Sequence, residues 1–277
     1  MIALLVDDLV RAALREDLGR AGDLTTDAIV PADSKGTGRI VAREPGVVSG
    51  IFVVERVFAV LDPRVVVAVA VADGGRVSQG TVVATVTGPL RSMLTGERTA
   101  LNLLSRLSGV ATATSRLVQA VAGTRATIVD TRKTTPGLRA LEKAAVRDGG
   151  GSNHRFGLDD AILIKDNHVA VAGGITAAIE AARRHAGHLV KIEIEVDTLA
   201  QLDEALAAHA DIILLDNFTL DGLREAVTRT GGRALLEASG RIDAETVRGV
   251  AETGVDLISS GALTHSARIL DFGFDID

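Results

Sequence analysis

The stretch VKIEIEVDTLAQLDEALAAHADIILLDN (190–217) decides the fold. It reads as an apolar run, an amphipathic segment over Leu199–Ala208 and a second apolar run, and each run closes on acids or amides. Near-continuous apolar runs flanking a helix are the pattern of parallel strands covered on both faces. The same rhythm recurs on either side. Upstream lie ATIVDTRK (126–133) and AILIKDNH (161–168); downstream lie ALLEASG (234–240) and DLISSGA (256–262). Helical segments are expected over Thr176–His185, Leu220–Thr230 and Asp243–Thr253. Six strand–helix units predict an α/β barrel, open and incomplete because it falls short of eight strands. A doubly wound sheet is the alternative. No Gly-x-Gly-x-x-Gly follows the first run, which argues against a dinucleotide-binding sheet.

The N-terminal part has another texture. Leu4, Leu5, Leu9, Val10, Ala13 and Leu14 recur at helical spacing over residues 1–20, and Thr25-Thr26-Asp27 suits the cap of a short helical turn. Between about 36 and 90, GRIVAREPGVVSGI (38–51), RVVVAVAVADGGRV (64–77) and GTVVATVTGPL (80–90) are short, β-branched and punctuated by Gly and Pro, and read as strands of a mostly antiparallel sheet. A long helix is expected from Glu97 to about Val121, and the division between the two parts falls near it.

Composition narrows the function. The chain has 277 residues, 47% hydrophobic and 24% charged, as expected of a globular protein. No apolar run approaches the length of a bilayer span, and the first ten residues carry two acids where an export signal needs a basic flank. Cysteine is absent, which excludes disulfides and thiolate chemistry and is compatible with a reducing compartment. A cytoplasmic location is expected. Aromatic residues make up 2% and the net charge is −6, so a nucleic-acid surface built on base stacking is not expected. Any bound anion must be held by a local basic cluster.

In a parallel barrel the functional side chains gather at the carboxyl ends of the strands. In chain order these ends are Asp130-Thr131-Arg132-Lys133, Lys165-Asp166-Asn167-His168, Glu195 with Asp197, Asp216-Asn217, Ser239-Gly240 and Ser259-Ser260-Gly261. The first two are basic, the next two acidic, the last two small. Ser-Gly ends expose backbone N–H groups that suit a phosphate. Acidic ends suit sugar hydroxyls or Mg²⁺, and basic ends suit carboxylates or pyrophosphate. The segment 132–155 adds six basic residues against two acids and carries Gly149–Gly151 just before His154-Arg155. The expected ligands are a phosphorylated sugar and an anionic partner. Singly, each feature has a plainer reading: a solvated basic face, a glycine turn, a structural His154 or His265, or Glu193 and Lys191 facing solvent between Ile192 and Ile194. Their coincidence at six strand ends favours a site.

The block DTRKTTPGLRALEKAAVRDGGGSNHRFGLDDAILIKDNH (130–168) resembles the quinolinate phosphoribosyltransferase family. So do EDLGRAGDLTTDAIVP (16–31), GERTALNLLSRLSG (96–109), IEIEVD (192–197), LLDNF (214–218), LEASG (236–240) and GALTHS (261–266). The resemblance implies an N-terminal α/β sandwich domain over 1–108, a barrel over 109–265 and a tail, 266–277, that rejoins the first domain. It implies a homodimer whose site is completed by the partner's copy of Arg98. It implies quinolinate binding by Arg132, His154, Arg155 and Lys165, and 5-phosphoribosyl 1-pyrophosphate binding by Lys133, Glu195 and Asp216. Its 5′-phosphate loops match Ser239, Gly240 and Arg241, then Ser260, Gly261 and Ala262; members vary at Arg241, where Gly or Asn is less bulky. Mg²⁺ would sit by Glu195 and Asp216, and no organic cofactor is required. The implied reaction is phosphoribosyl transfer to quinolinate with loss of CO₂, with catalysis resting chiefly on Lys133, Lys165, Glu195 and Asp216.

Overall fold

A computed structural model describes residues 2–276, and side chains from residue 6 onward. The helical positions Leu4 and Leu5 therefore lie outside the described side chains. The chain divides into two compact units: residues 1–115 with 135–150 and 266–277, and residues 116–134 with 151–265.

The first unit holds α1 (Ile2–Leu18), α2 (Leu24–Ile29), β1 (Lys35–Ala42), β2 (Gly46–Val47), α3 (Ile51–Leu61), β3 (Val66–Val69), β4 (Arg76–Val77) and β5 (Val82–Pro89). Next comes α4 (Leu90–Ala120), which carries the chain into the second unit. Asp23 caps α2 by accepting the Thr26 N–H at 3.0 Å, so the cap precedes the expected Thr-Thr-Asp. The tail strand β12 (Phe272–Ile276) pairs antiparallel with β1, giving a sheet in the order β12-β1-β5-β3. Helix α3 fills the gap between the first two expected strand segments. Its β-branched sequence IFVVERVFAVL favours a strand locally, yet Ile51, Val54 and Phe58, with Val53 and Val57, fall on one buried helical stripe. Its first N–H, from Ile51, which has no partner within the helix, is accepted by Asp73 Oδ1 at 2.9 Å.

Helix α5 (Arg139–Asp148) belongs to this unit and not to the barrel expected over 109–265. The reason is packing. Leu141, Ala145 and Val146 join the core formed by α1, the sheet, α3 and the first part of α4. Buried Glu142 fixes the helix start by accepting from Arg106 Nη2 and Thr135 Oγ1, both at 2.7 Å.

The second unit contains β6 (Thr127–Val129), β7 (Ile162–Ile164), β8 (Ile192–Val196), β9 (Ile212–Asp216), β10 (Leu235–Ser239) and β11 (Leu257–Ser259). All six expected runs form strands, all parallel, in the order β6-β11-β10-β9-β8-β7. That order is the chain order closed on itself, with the first strand beside the last. It is the order of a barrel whose seam lies between β6 and β7; a doubly wound sheet reverses direction part-way. The interposed helices are α6 (Asp166–Ala172), α7 (Ile175–His185), α8 (Leu199–Ala207), α9 (Leu220–Thr230), α10 (Val247–Ala251) and α11 (Ala262–His265). Helix α10 is shorter than expected because Asp243 Oδ1 gathers the N–H groups of Glu245 and Thr246 into a turn.

Period two assigns the strand faces. Ile192, Ile194 and Val196, Ile213 and Leu215, and Leu236 and Ala238 pack into the core under the helices. Glu193 and Glu195, Leu214 and Asp216, and Glu237 and Ser239 therefore face the interior of the sheet. Register aligns Glu195 with Leu214 and Glu237, and Asp216 with Ser239.

Candidate active site

Two adjoining cavities open at the carboxyl ends of these strands. The first, about 330 Å³, is bounded by Arg132, Lys133, Arg155 and Lys165, with His154, Leu163, Leu214 and Glu237 among its other walls. The second, about 450 Å³, is bounded by Asp216, Gly240, Arg241, Ser260, Gly261, Ala262 and His265. Thr131, Lys133, Ser239 and Ser259 line both, so the two form one continuous mouth with Lys133 at the junction.

In the first cavity the segment after the glycines is laid along the free edge of β6. Ser152 bridges to Val129, and its N–H donates to Ile128 O at 2.8 Å. Fully buried Asp130 anchors the next two residues, accepting from Asn153 Nδ2 at 2.5 Å and from the His154 N–H at 2.9 Å. Arg155 Nη1 donates to Ala161 O at 3.2 Å, while its Nε is buried with no hydrogen-bond partner. Burial, and then the neighbouring Arg132, pull the Arg155 guanidinium below its usual value, against the opposing carboxylates of Glu193 and Asp160. It remains a cation at neutral pH because arginine starts so high. Lys165 Nζ is paired with Glu195 Oε2. Four cations thus surround one small chamber with Leu163 and Leu214 among its walls.

In the second cavity glycines and small side chains form much of the wall. Gly240 has φ +111°, and a Cβ there would lie 2.3 Å from Asn217 Oδ1. A Cβ on Gly261 would lie 2.8 Å from Lys133 Cδ. A side chain at Gly240 would be strained by its φ and would crowd Asn217, and one at Gly261 would displace the Lys133 side chain. Asn217, at φ +55°, donates from Nδ2 to Asp216 Oδ2 at 2.7 Å and so orients that carboxylate. Ser260 is buried and donates to Ile242 O at 3.2 Å, tying the two small-residue loops together. Thr264 Oγ1 donates to Lys133 O at 2.7 Å. His265, read as more often structural, lines the cavity.

The structure therefore brings together Arg132, Lys133, His154, Arg155, Lys165, Asp216, Ser239, Gly240, Arg241, Ser260, Gly261 and Ala262, with Glu195 attached through Lys165. Arg98 is not among them. It lies on α4 in the first unit, 63% exposed, with Glu97 at 3.7 Å. Arg139, Lys143 and Arg147 of the basic segment belong to α5 in the first unit. Two residues escaped the sequence reading. Glu193, for which alternation with isoleucines leaves a solvent-facing reading open, is 4% exposed and faces inward, and Glu237, inside LEASG, is 1% exposed. A charged residue at an apolar strand's inward position was the available signal.

Glu193, Glu237 and His154 offer ligand atoms within 4.8 Å of one another. The ring nitrogen His154 Nε2 is 2.8 Å from Glu193 Oε2, a hydrogen bond that leaves no lone pair for an ion. Burial, and then Glu193 beside it, push the Glu237 carboxyl up to about 7. Glu195 and Asp216 supply carboxylate oxygens without a third His, Asp or Glu ligand among the described residues. That donor set fits Mg²⁺, which typically takes one or two carboxylates and completes its shell from substrate phosphates and water.

Comparison with known proteins identifies the family. Residues 23–108 match the family described as quinolinate phosphoribosyl transferase, N-terminal domain, and residues 110–275 match its C-terminal domain. The chain belongs to the quinolinate phosphoribosyl transferase family. It is 50% identical over 276 residues to the nicotinate-nucleotide pyrophosphorylase [carboxylating] of Mycobacterium leprae, covering 97% of this chain and 96% of that one. It is 46% identical to the probable nicotinate-nucleotide pyrophosphorylase [carboxylating] of Bacillus subtilis, covering 94% and 90%. The crystal structure of NadC from Streptococcus pyogenes superposes with a TM-score of 0.95 at 44% identity, covering 98% and 96%. Both the α/β fold and the parallel-sheet second domain are those of this family.

Proposed function

We propose that the chain transfers the phosphoribosyl group of 5-phosphoribosyl 1-pyrophosphate to quinolinate, releasing pyrophosphate and CO₂ and leaving nicotinate mononucleotide, a step of NAD biosynthesis. One observation carries the reading: two cavities of different chemistry meet at Lys133. The chamber of Arg132, Lys133, Arg155 and Lys165 suits a flat dianion, since guanidinium groups bind carboxylates through paired hydrogen bonds. The glycine- and serine-lined cavity suits a phosphate, because Gly240 and Gly261 let backbone approach it and Arg241 adds charge. A sugar spanning the two would hold its anomeric carbon near Lys133.

The residues then divide the work. Arg132 and Arg155 grip the two carboxylates and set the ring nitrogen in line with the anomeric carbon. Lys133 and Lys165 neutralise charge developing on the departing pyrophosphate. Glu195 and Asp216 orient ribose hydroxyls and balance positive charge at the anomeric carbon. When bound, Mg²⁺ held by Glu195 and Asp216 would add charge neutralisation at the pyrophosphate. Once the ring nitrogen is alkylated, the pyridinium accepts the electron pair left by CO₂, and the carbanion takes a proton. No organic cofactor is needed.

We place the protein in the cytoplasm as a homodimer, with the partner's copy of Arg98 completing the grip. Among the described residues no helix is long and apolar enough to cross a membrane. Inactive Arg98→Ala mixed with inactive Lys133→Ala should regain activity through hybrid dimers; no recovery despite subunit exchange would argue against a shared site. The direct test of function is CO₂ release from carboxyl-labelled quinolinate, with 5-phosphoribosyl 1-pyrophosphate and Mg²⁺. Release should require all three components. Equal use of nicotinate as acceptor would remove the dicarboxylate assignment.

A further inference from the structure

His154 is the one residue of the basic set whose ring is already committed to the protein on both sides. Nε2 lies 2.8 Å from Glu193 Oε2 and 3.7 Å from Glu237 Oε2. Nδ1 lies 2.7 Å from the backbone nitrogen of Arg155. A backbone N–H can only donate, so Nδ1 must offer its lone pair. The ring proton therefore sits on Nε2 and is donated to Glu193. The other tautomer would set a bare Nε2 lone pair against two acid oxygens, and an Nδ1 proton against the Arg155 N–H. The ring is mostly buried: the side chain of His154 is 13% exposed and those of Glu193 and Glu237 are 6% and 2%.

We propose that Glu193 and Glu237 are positioning residues that lock His154 as a neutral, Nε2-protonated strut for the Arg155 backbone, so that His154 is not one of the cations gripping the substrate. Asp130 holds the His154 N–H at 2.9 Å, and the His154 ring holds the next N–H along the chain. Two consecutive peptide groups are thereby fixed from beneath, and the guanidinium they carry enters the cavity at a set place. The acids come from β8 and β10, so the sheet interior itself sets the height of the strut. This assignment rests on the dicarboxylate reading only where it predicts a substrate effect; the tautomer is independent of it.

The test is ¹⁵N NMR of the full chain with labelled histidine at neutral pH, the His154 signals being assigned by their loss in His154→Gln. Nδ1 should read as an unprotonated acceptor and Nε2 as protonated. Glu193→Gln keeps an acceptor oxygen and should keep that pattern, with the quinolinate KM close to the parent value. Glu193→Leu should lose the pattern and raise the quinolinate KM about tenfold or more while sparing the phosphoribosyl donor. An imidazolium, or an Nδ1-protonated ring, in the unsubstituted protein overturns the proposal. So does Glu193→Leu with parental tautomer and KM. If Glu193→Leu does not fold, the parent spectrum and Glu193→Gln still decide. Because the spectrum needs no substrate, failure of the proposed reaction would show separately, as no CO₂ release from a protein with the expected tautomer.

Discussion

Replacing Gly240 by alanine probes the second cavity at its tightest point. Two costs add. The residue has φ +111°, a conformation that L side chains rarely adopt, for about 1–3 kcal/mol. The new Cβ would also lie 2.3 Å from Asn217 Oδ1 and 3.1 Å from the Asn217 backbone nitrogen. Asn217 cannot retreat freely, because its N–H donates to Ser239 O at 3.0 Å and its side chain holds Asp216 at 2.7 Å. Relief by displacement adds about 1–3 kcal/mol, the usual range for overpacking. A total of about 2–6 kcal/mol would lower the melting temperature by about 3–10 °C in a chain of this size. The displaced carboxylate is Asp216, so the damage to catalysis should fall on the sugar side. Calorimetry and steady-state kinetics test both parts: the KM for 5-phosphoribosyl 1-pyrophosphate should rise while that for quinolinate stays near the parent value. Gly240→Ala with parental melting and parental donor KM would refute the cradle argument.

Arg155→Ala should raise the quinolinate KM more than a hundredfold, since each charge-assisted hydrogen bond lost costs about 1.5–3 kcal/mol and the guanidinium can make two; an unchanged KM removes Arg155 from the grip. Arg241 sits at φ +47°, which costs an L residue about 1–2 kcal/mol, so Arg241→Gly should raise the melting temperature by a few degrees while weakening donor binding. Parental melting in that variant would mean the strain is relieved elsewhere. Glu237 binds its proton more tightly folded, at about 7, than in an unfolded chain, at about 4.3. The stability it contributes is complete below the unfolded value and is lost as pH rises through about 7, so denaturant midpoints should fall between about pH 4 and 7 and level off above. Glu237→Gln should flatten that slope, and an unaltered slope would place the titration on another group.

The strand ends were legible because each apolar run stops where a polar residue emerges, and the stops fall at corresponding ends of parallel strands. Lys165, Asp216 and Ser239 were found in that way without any knowledge of contacts. The inward face was less legible. Glu193 alternates with isoleucines as a solvent-facing residue of an antiparallel strand would, and only closure of the sheet turns that face inward. Glu237 sits among Leu, Ala and Ser, with nothing in the run to mark it as facing a second acid. Helix α3 was hidden for another reason: its β-branched residues favour strand locally, and burial of a helical stripe outweighs that preference. Helix α5 carried charges that read as part of the site, yet its apolar stripe belongs to the other core. Arg98, which no pattern within the chain connects to the cavities, rests on family resemblance alone.

The most direct test is a crystal structure of the protein with quinolinate bound. The account predicts the diacid in the smaller cavity, its carboxylates on Arg132 and Arg155 and its ring nitrogen directed toward the Lys133 side, with His154 still hydrogen-bonded to Glu193. Quinolinate bound outside the mouth of the parallel sheet, or held there without either arginine, would contradict it.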